Sequence, residues 1–172
     1  MSRRLAGLRW ARMLSARPSY IPAPKGRRGA KAVGLKYERQ IAAALPAAIH
    51  NPWFEFEDSN GKGYCSPDFL FSVSDVGLVV LESKYTWTME GHSQLEELYL
   101  QVVESAFSLP AWGMVIARRI LPDMTGVKLF CELDNALESA IDGGRVCLHW
   151  LGESAIPGWK IARQLEIGEL VH

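Results

Sequence analysis

The chain has 172 residues, 48% of them hydrophobic and 22% charged, which is ordinary usage for a globular domain with one substantial core. It contains no apolar run of about eighteen residues and no basic-then-apolar leader with a cleavage site, which argues against a membrane span and a secretory signal. Cys65, Cys131 and Cys147 form an odd set without C-x-x-C spacing, so a disulfide framework and a structural zinc site are not expected; the reading is an intracellular, cytoplasmic protein with buried thiols.

The formal net charge of zero hides an asymmetry. Residues 1 to 37 hold ten Lys/Arg and no acid, and the remainder holds nine Lys/Arg and all nineteen acids, so an arm of +10 precedes a body of −10. Such a segment reads as a polyanion-binding extension. Ala6, Trp10, Met13 and Leu14 fall at helical spacing and predict an amphipathic helix over 2–16. Pro18, Pro22 and Pro24 end it, and 17–30, rich in Pro, Gly and basic residues, reads as an extended linker. The division is therefore a basic arm and linker over 1–30 and a folded domain over 31–172. Arg9, Arg12, Arg17, Lys25, Arg27, Arg28, Lys31 and Lys36 are candidate phosphate contacts, acting through charge whatever the base sequence. Two other readings remain open: docking of the arm on the acidic body of this chain or a neighbour, and a mitochondrial transit segment addressed to the matrix.

A helix is predicted over 31–45, its stripe formed by Tyr37, Ile41, Ala44, Leu45 and Ala48, with Glu38 at the stripe's border. Trp53 to Glu57 alternates as a strand, and Asp58-Ser59-Asn60-Gly61-Lys62-Gly63 reads as a hairpin turn; it lacks the oxygen residues of a calcium loop. Residues 64–72 and 78–84 complete an expected three-stranded meander with 53–57. Within it, Pro67 precedes Asp68 at a strand start, and Val79-Val80-Leu81-Glu82-Ser83-Lys84 places Glu82 and Lys84 on one face, since side chains alternate along a strand. If the strands pair, Asp68 and Glu82 meet at a separation that a hard divalent cation can bridge. A helix over 93–107 follows, with Leu95, Leu98, Val102 and Ala106 in its stripe. The apolar strand 112–120, ending in Arg118-Arg119, fits a parallel crossover onto strand 78–84. Beyond it, a strand near 128–131, a helix near 133–141 and a strand over 145–151 extend the sheet. The histidines, His50, His92, His149 and His172, are scattered and read as surface or core residues. Trp150 and Trp159 read as core or dimer surface.

Glu38 on a helix, Pro67-Asp68 at a strand start, Glu82-x-Lys84 at the end of an apolar strand, and an amphipathic helix after it resemble the PD-(D/E)XK nuclease superfamily over about residues 34 to 120. The resemblance implies an α/β fold, a restriction-endonuclease-like mixed β-sheet core (αβββαβ) flanked by helices, here with a basic N-terminal arm. It implies a divalent-metal-dependent DNA nuclease: Asp68 and Glu82 bind Mg²⁺ (or Mn²⁺), the Ser83 carbonyl adds a ligand, Glu38 contributes through water, and Lys84 assists the attacking water. Several members place a glutamine and a tyrosine four apart on the following helix to contact the substrate phosphate. Gln94 and Tyr99 resemble that pair but stand five apart. A small nuclease with a basic arm resembles phage-type recombination nucleases and junction resolvases, which act on DNA as homodimers. A structure-selective endonuclease is therefore expected, with an exonuclease and a non-catalytic DNA-binding or virion protein on the same fold as alternatives.

Overall fold

A computed structural model describes residues 4–22, 28–73, 77–119, 145–150 and 167–168. The described elements form a mixed α/β architecture with two sheets and few helices.

The first sheet has three antiparallel strands in the order β1-β3-β4: β1 (Trp10–Leu14), β3 (Trp53–Asp58) and β4 (Gly61–Cys65). The helix predicted over 2–16 is thus replaced by a strand, and cross-strand chemistry explains why. Ala11 and Met13 lie opposite Phe56 and Phe54 on the apolar face, and Trp10 and Arg12 lie opposite Glu57 and Glu55 on the other. These matched pairs outweigh a weak helical spacing, because strand stability comes from cross-strand neighbours. Arg12 Nε donates to Glu55 Oε2 at 2.9 Å, Arg9 Nη1 to Glu57 Oε1 at 3.0 Å, and Arg4 Nε to Glu97 Oε2 at 2.8 Å. Docking of the arm on the acidic body, one of the alternatives above, is what these residues do. Hydrogen bonds from Tyr64 and then Arg12 hold the Glu55 carboxyl below its usual range.

The second sheet runs β2-β5-β6-β7-β8, from β2 (Ile49–His50) through β5 (Phe69–Val73), β6 (Gly77–Thr86) and β7 (Ala111–Arg119) to β8 (Val146–Trp150), with β9 (Ile167–Gly168) pairing on β5. The expected single meander is therefore divided between two sheets. Strand 64–72 breaks at Ser66-Pro67-Asp68, where Pro67 has no N–H to give a ladder and its ring fixes φ. β5 pairs β6 antiparallel, and β6 pairs β7 parallel, as expected of the crossover. β8 continues the sheet, parallel to β7, where strand 145–151 was expected. Gly77 opens β6 at φ 116°, and a Cβ there would stand 2.8 Å from the Pro110 carbonyl oxygen.

Alternation along β5 and β6 divides the core. Leu70, Leu78 and Val80 face a cluster with Phe54, Phe56, Leu95, Leu98 and Val102, beneath the first sheet and the crossover helix. Phe69, Phe71, Val79 and Leu81 face Tyr37, Ile41 and Leu45 of α1 (Ala30–Ala44). The crossover consists of α2 (Met89–Gln94), a π-helical turn (Leu95–Tyr99) and α3 (Leu100–Phe107). Among the described residues no helix is long and apolar enough to cross a membrane. The strand expected near 128–131, the helix near 133–141, and Lys25, Arg27, Cys131, Trp159 and His172 lie outside the described residues.

Candidate active site

Asp68 is the last residue before β5, and continuing the β5–β6 register one pair beyond Phe69↔Leu81 sets it beside Glu82. Its carboxylate takes the place of the next ladder partner. Asp68 Oδ2 accepts from the Ser83 backbone N–H at 2.7 Å and from the Ser83 hydroxyl at 2.6 Å. Ser83 therefore engages Asp68 through its amide and hydroxyl. Burial pushes the Asp68 carboxyl up, the Ser83 bonds pull it down, and the Glu38 charge adds to the rise, which is the net direction.

Glu82 lies on the same face as Val80, and only 6% of it is exposed. Lys84, on that face two residues on, donates to Glu82 Oε1 at 2.7 Å and reaches Gln94 Oε1 at 3.4 Å. The second oxygen, Glu82 Oε2, is buried without a hydrogen-bond partner. Leaving such an atom unpaired costs about 1–3 kcal/mol, more when it is charged. Burial first, and the Asp68 charge second, push the Glu82 carboxyl up to about 7 against the attraction of Lys84. Burial alone would lower the Lys84 ammonium, but the Glu82 and Asp68 carboxylates outweigh it and raise its pKa. The two acids and the amine are thus brought together.

Room for Lys84 comes from Gly91 on α2, where a Cβ would stand 2.9 Å from Lys84 Cε. The π-turn accounts for the odd spacing of Gln94 and Tyr99. The Leu100 amide bonds the Leu95 carbonyl, five residues back, so the wide turn brings residues five apart onto one face. Gln94 consequently meets Lys84, and the phenol of Tyr99 is raised by burial and then by Glu82, with Asp68 also near enough to contribute.

Glu38 is buried on α1, across the sheet from Glu82. It accepts from Asn51 Nδ2 at 3.0 Å and pairs with His50 Nε2 at 2.7 Å, while the Asn51 amide N–H bonds the Asp68 carbonyl at 2.8 Å. His50 also stacks on Phe69, with ring centroids 4.9 Å apart. His50 and Asn51 are site residues that sequence reasoning missed; the signal was a polar pair at the end of the short apolar segment 45–49 that follows the helix carrying Glu38. Among the described residues no group of three or more His, Cys, Asp and Glu side chains is gathered tightly enough to cage a metal. The donor set still fits Mg²⁺, which binds through one or two carboxylates and keeps several waters. Asp68 and the unpartnered Glu82 Oε2 supply that pair.

A cavity of about 510 Å³ opens beside Lys84, walled by Gly34, Ser83, Tyr85 and Arg119. Arg118 stands 5.8 Å over the Tyr85 ring. Of the arm's basic residues, Arg9 and Arg12 pair with β3 acids, while Arg28, Lys31 and Lys36 are exposed on or before α1. The Arg17 Nη2 donates to the Pro22 carbonyl. No protein-family model, curated protein or solved structure matches this chain.

Proposed function

We propose that the protein is a divalent-metal-dependent DNA nuclease, built on a restriction-endonuclease-like core and cutting as a structure-selective, junction-resolvase-like endonuclease. The observation that carries this reading is the buried Glu82 carboxylate, with Lys84 on one oxygen, the other oxygen unpartnered, and Asp68 alongside. A dication held by Asp68 and Glu82 would supply Lewis-acid stabilisation of the charge that builds on the phosphoryl oxygens.

The chain's own groups divide the remaining work. Lys84, kept protonated by its carboxylate neighbours, donates hydrogen bonds that orient the attacking water toward phosphorus. Gln94 steadies the Lys84 ammonium, and Tyr99, its phenol held neutral, offers a donor to a phosphate oxygen. Ser83 fixes the Asp68 carboxylate through two hydrogen bonds, so that it turns little during the reaction. Arg119, with Arg28, Lys31 and Lys36 outside the cavity, gives the DNA backbone a cationic approach. Such contacts read charge and shape rather than bases.

The test is one gel. Closed-circular duplex, linear duplex, single strand and a four-way junction are each incubated with Mg²⁺, Mn²⁺ or EDTA. The reading predicts cutting with either metal, none in EDTA, nicking of the closed circle, and fastest cutting of the junction. Degradation of linear DNA alone would make it an exonuclease. Binding with no cutting under any condition would make it a DNA-binding protein on a nuclease fold.

A further inference from the structure

A second cavity, of about 660 Å³, lies at the residues that hydrogen-bond Glu38. Its walls include Leu14 and Arg17 from the arm, His50 and Asn51 after α1, and Trp53 at the start of β3. Glu38 connects the two spaces. Gly34, one turn before it on α1, lines the first, and its hydrogen-bond partners His50 and Asn51 line the second. Asn51 also bonds the Asp68 main-chain carbonyl at 2.8 Å, so the wall of the second cavity is joined to the carboxylate centre through one residue.

The volume lies within the range of roughly 300–1,000 Å³ usual for small-molecule sites. Its chemistry is that of a nucleotide site. The Arg17 guanidinium is held 5.5 Å over the Trp53 ring, and its Nε is buried without an acceptor. One of its Nη groups donates to the Pro22 carbonyl, and a guanidinium at a cavity wall with a donor left over suits a phosphate oxygen. With its Nδ2 held by Glu38, Asn51 offers a base edge its side-chain carbonyl, and the His50 and Trp53 rings offer aromatic surface to a base face. A base stacked within a duplex cannot enter a concave site without leaving its partner. That costs a few kcal/mol, and least where the base is already unpaired.

We infer that this cavity receives one unpaired nucleotide of a DNA strand crossing the Asp68–Glu82–Lys84 centre, with its phosphate on Arg17. The inference rests on the nuclease reading for its substrate and deepens it: the structure being selected is an unstacked nucleotide beside the cut, such as branched DNA offers.

The full-length protein is titrated, in EDTA, against a fluorescein-labelled duplex with a single unpaired nucleotide and against the same duplex fully paired. Wild type is expected to favour the unpaired site about tenfold, in line with roughly 1–3 kcal/mol for one stacked base. Arg17→Gln removes the acceptor-free donor, and Ala16→Trp fills the cavity from an exposed wall position without changing charge. Both are expected to bring the ratio to about one. A wild-type ratio near one overturns the inference, and so does a ratio that survives in both variants. Because no cleavage is read, a ratio that is present in wild type and lost in the variants upholds the cavity even if Mg²⁺ brings no cutting, an outcome that would overturn the nuclease reading alone.

Discussion

The Lys84 ammonium stands 2.7 Å from Glu82 Oε1, two residues away on one face of β6, while the other oxygen of that carboxylate is buried with no partner. Burying that oxygen without a well-formed hydrogen bond works against stability, whether the carboxyl is charged or neutral. On the proposed nuclease reading, that oxygen is the one a divalent cation would take.

Neutralising Glu82 separates its two roles. Glu82→Gln keeps the shape and removes the charge, and is expected to lower cleavage by on the order of 100-fold or more, the scale of losing one electrostatic group at a reacting centre. Thermal unfolding of the same variant in EDTA should shift little near pH 5, where the folded chain keeps this carboxyl protonated, and should move upward above about pH 7, where Glu82 is charged in the wild type. A variant that unfolds but cuts normally once folded would reverse the assignment.

The pH dependence follows from the raised Glu82 carboxyl. Its ordinary value of 4.5 holds in the unfolded chain, and the folded value is about 7. Between those values the folded state binds more protons, so this group's contribution to stability is complete below about pH 4.5 and is lost as pH rises through about 7. Glu82→Gln should remove that decline in metal-free urea titrations. Cleavage runs the other way: kcat/KM at low Mg²⁺ should climb through about pH 7 as the carboxylate ionises, and higher Mg²⁺ should move the limb to lower pH.

Metal binding should be visible without turnover. Mg²⁺ at 100 times its Kd adds about 2.7 kcal/mol to the folded state, so Tm should rise with Mg²⁺ at pH 8. The rise should be smaller at pH 5, and absent in Asp68→Asn/Glu82→Gln. An equal rise in the double variant would place the cation elsewhere.

Gly91 tests the positioning of Lys84. A Cβ at this position meets Lys84 Cε at 2.9 Å and Cγ at 3.3 Å, both in a flexible side chain, so the fold should accommodate Gly91→Ala by displacing the ammonium. A displacement of about 1 Å can cost on the order of 100-fold in rate. The expected result is a large fall in kcat, little change in KM and a nearly unchanged Tm.

Removing residues 1 to 16 should do more than weaken DNA binding. It strips β1 from the edge of β3 and uncovers the apolar face that Ala11 and Met13 cover. An exposed strand edge invites association between chains, so the shortened protein should aggregate or unfold at lower urea. A shortened chain that stays monomeric with unchanged stability would show that the arm is dispensable to the fold.

Local patterning made the centre of the fold legible. Alternation in Val79 to Lys84 put Glu82 and Lys84 on one face, and the register with β5 set Asp68 beside them. The helix around Glu38, the parallel strand Ala111–Arg119 and the strand at Val146–Trp150 were readable for the same reason: each is a strongly apolar or periodic run. The failures were non-local. Trp10 to Leu14 has a tolerable helical spacing, and only its partner, with Glu55 and Glu57 alternating against Phe54 and Phe56, makes it a strand. The partition of 53–65 and 69–86 between two sheets depends on where the chain turns at Pro67, which pattern alone does not announce. The π-turn was hidden in the same way: a five-residue interval between Gln94 and Tyr99 looked like a departure and is absorbed by a wider turn. His50 was passed over because a polar pair with Asn51 carries no periodic signal, although it sits 2.7 Å from Glu38.

The most direct test of the central claim is the rate at which purified protein nicks closed-circular DNA in Mg²⁺, measured for wild type, Asp68→Asn/Glu82→Gln, and wild type in EDTA. The account predicts nicking in the first and none above background in the other two. Equal nicking by the double variant, or nicking that persists in EDTA, would contradict it.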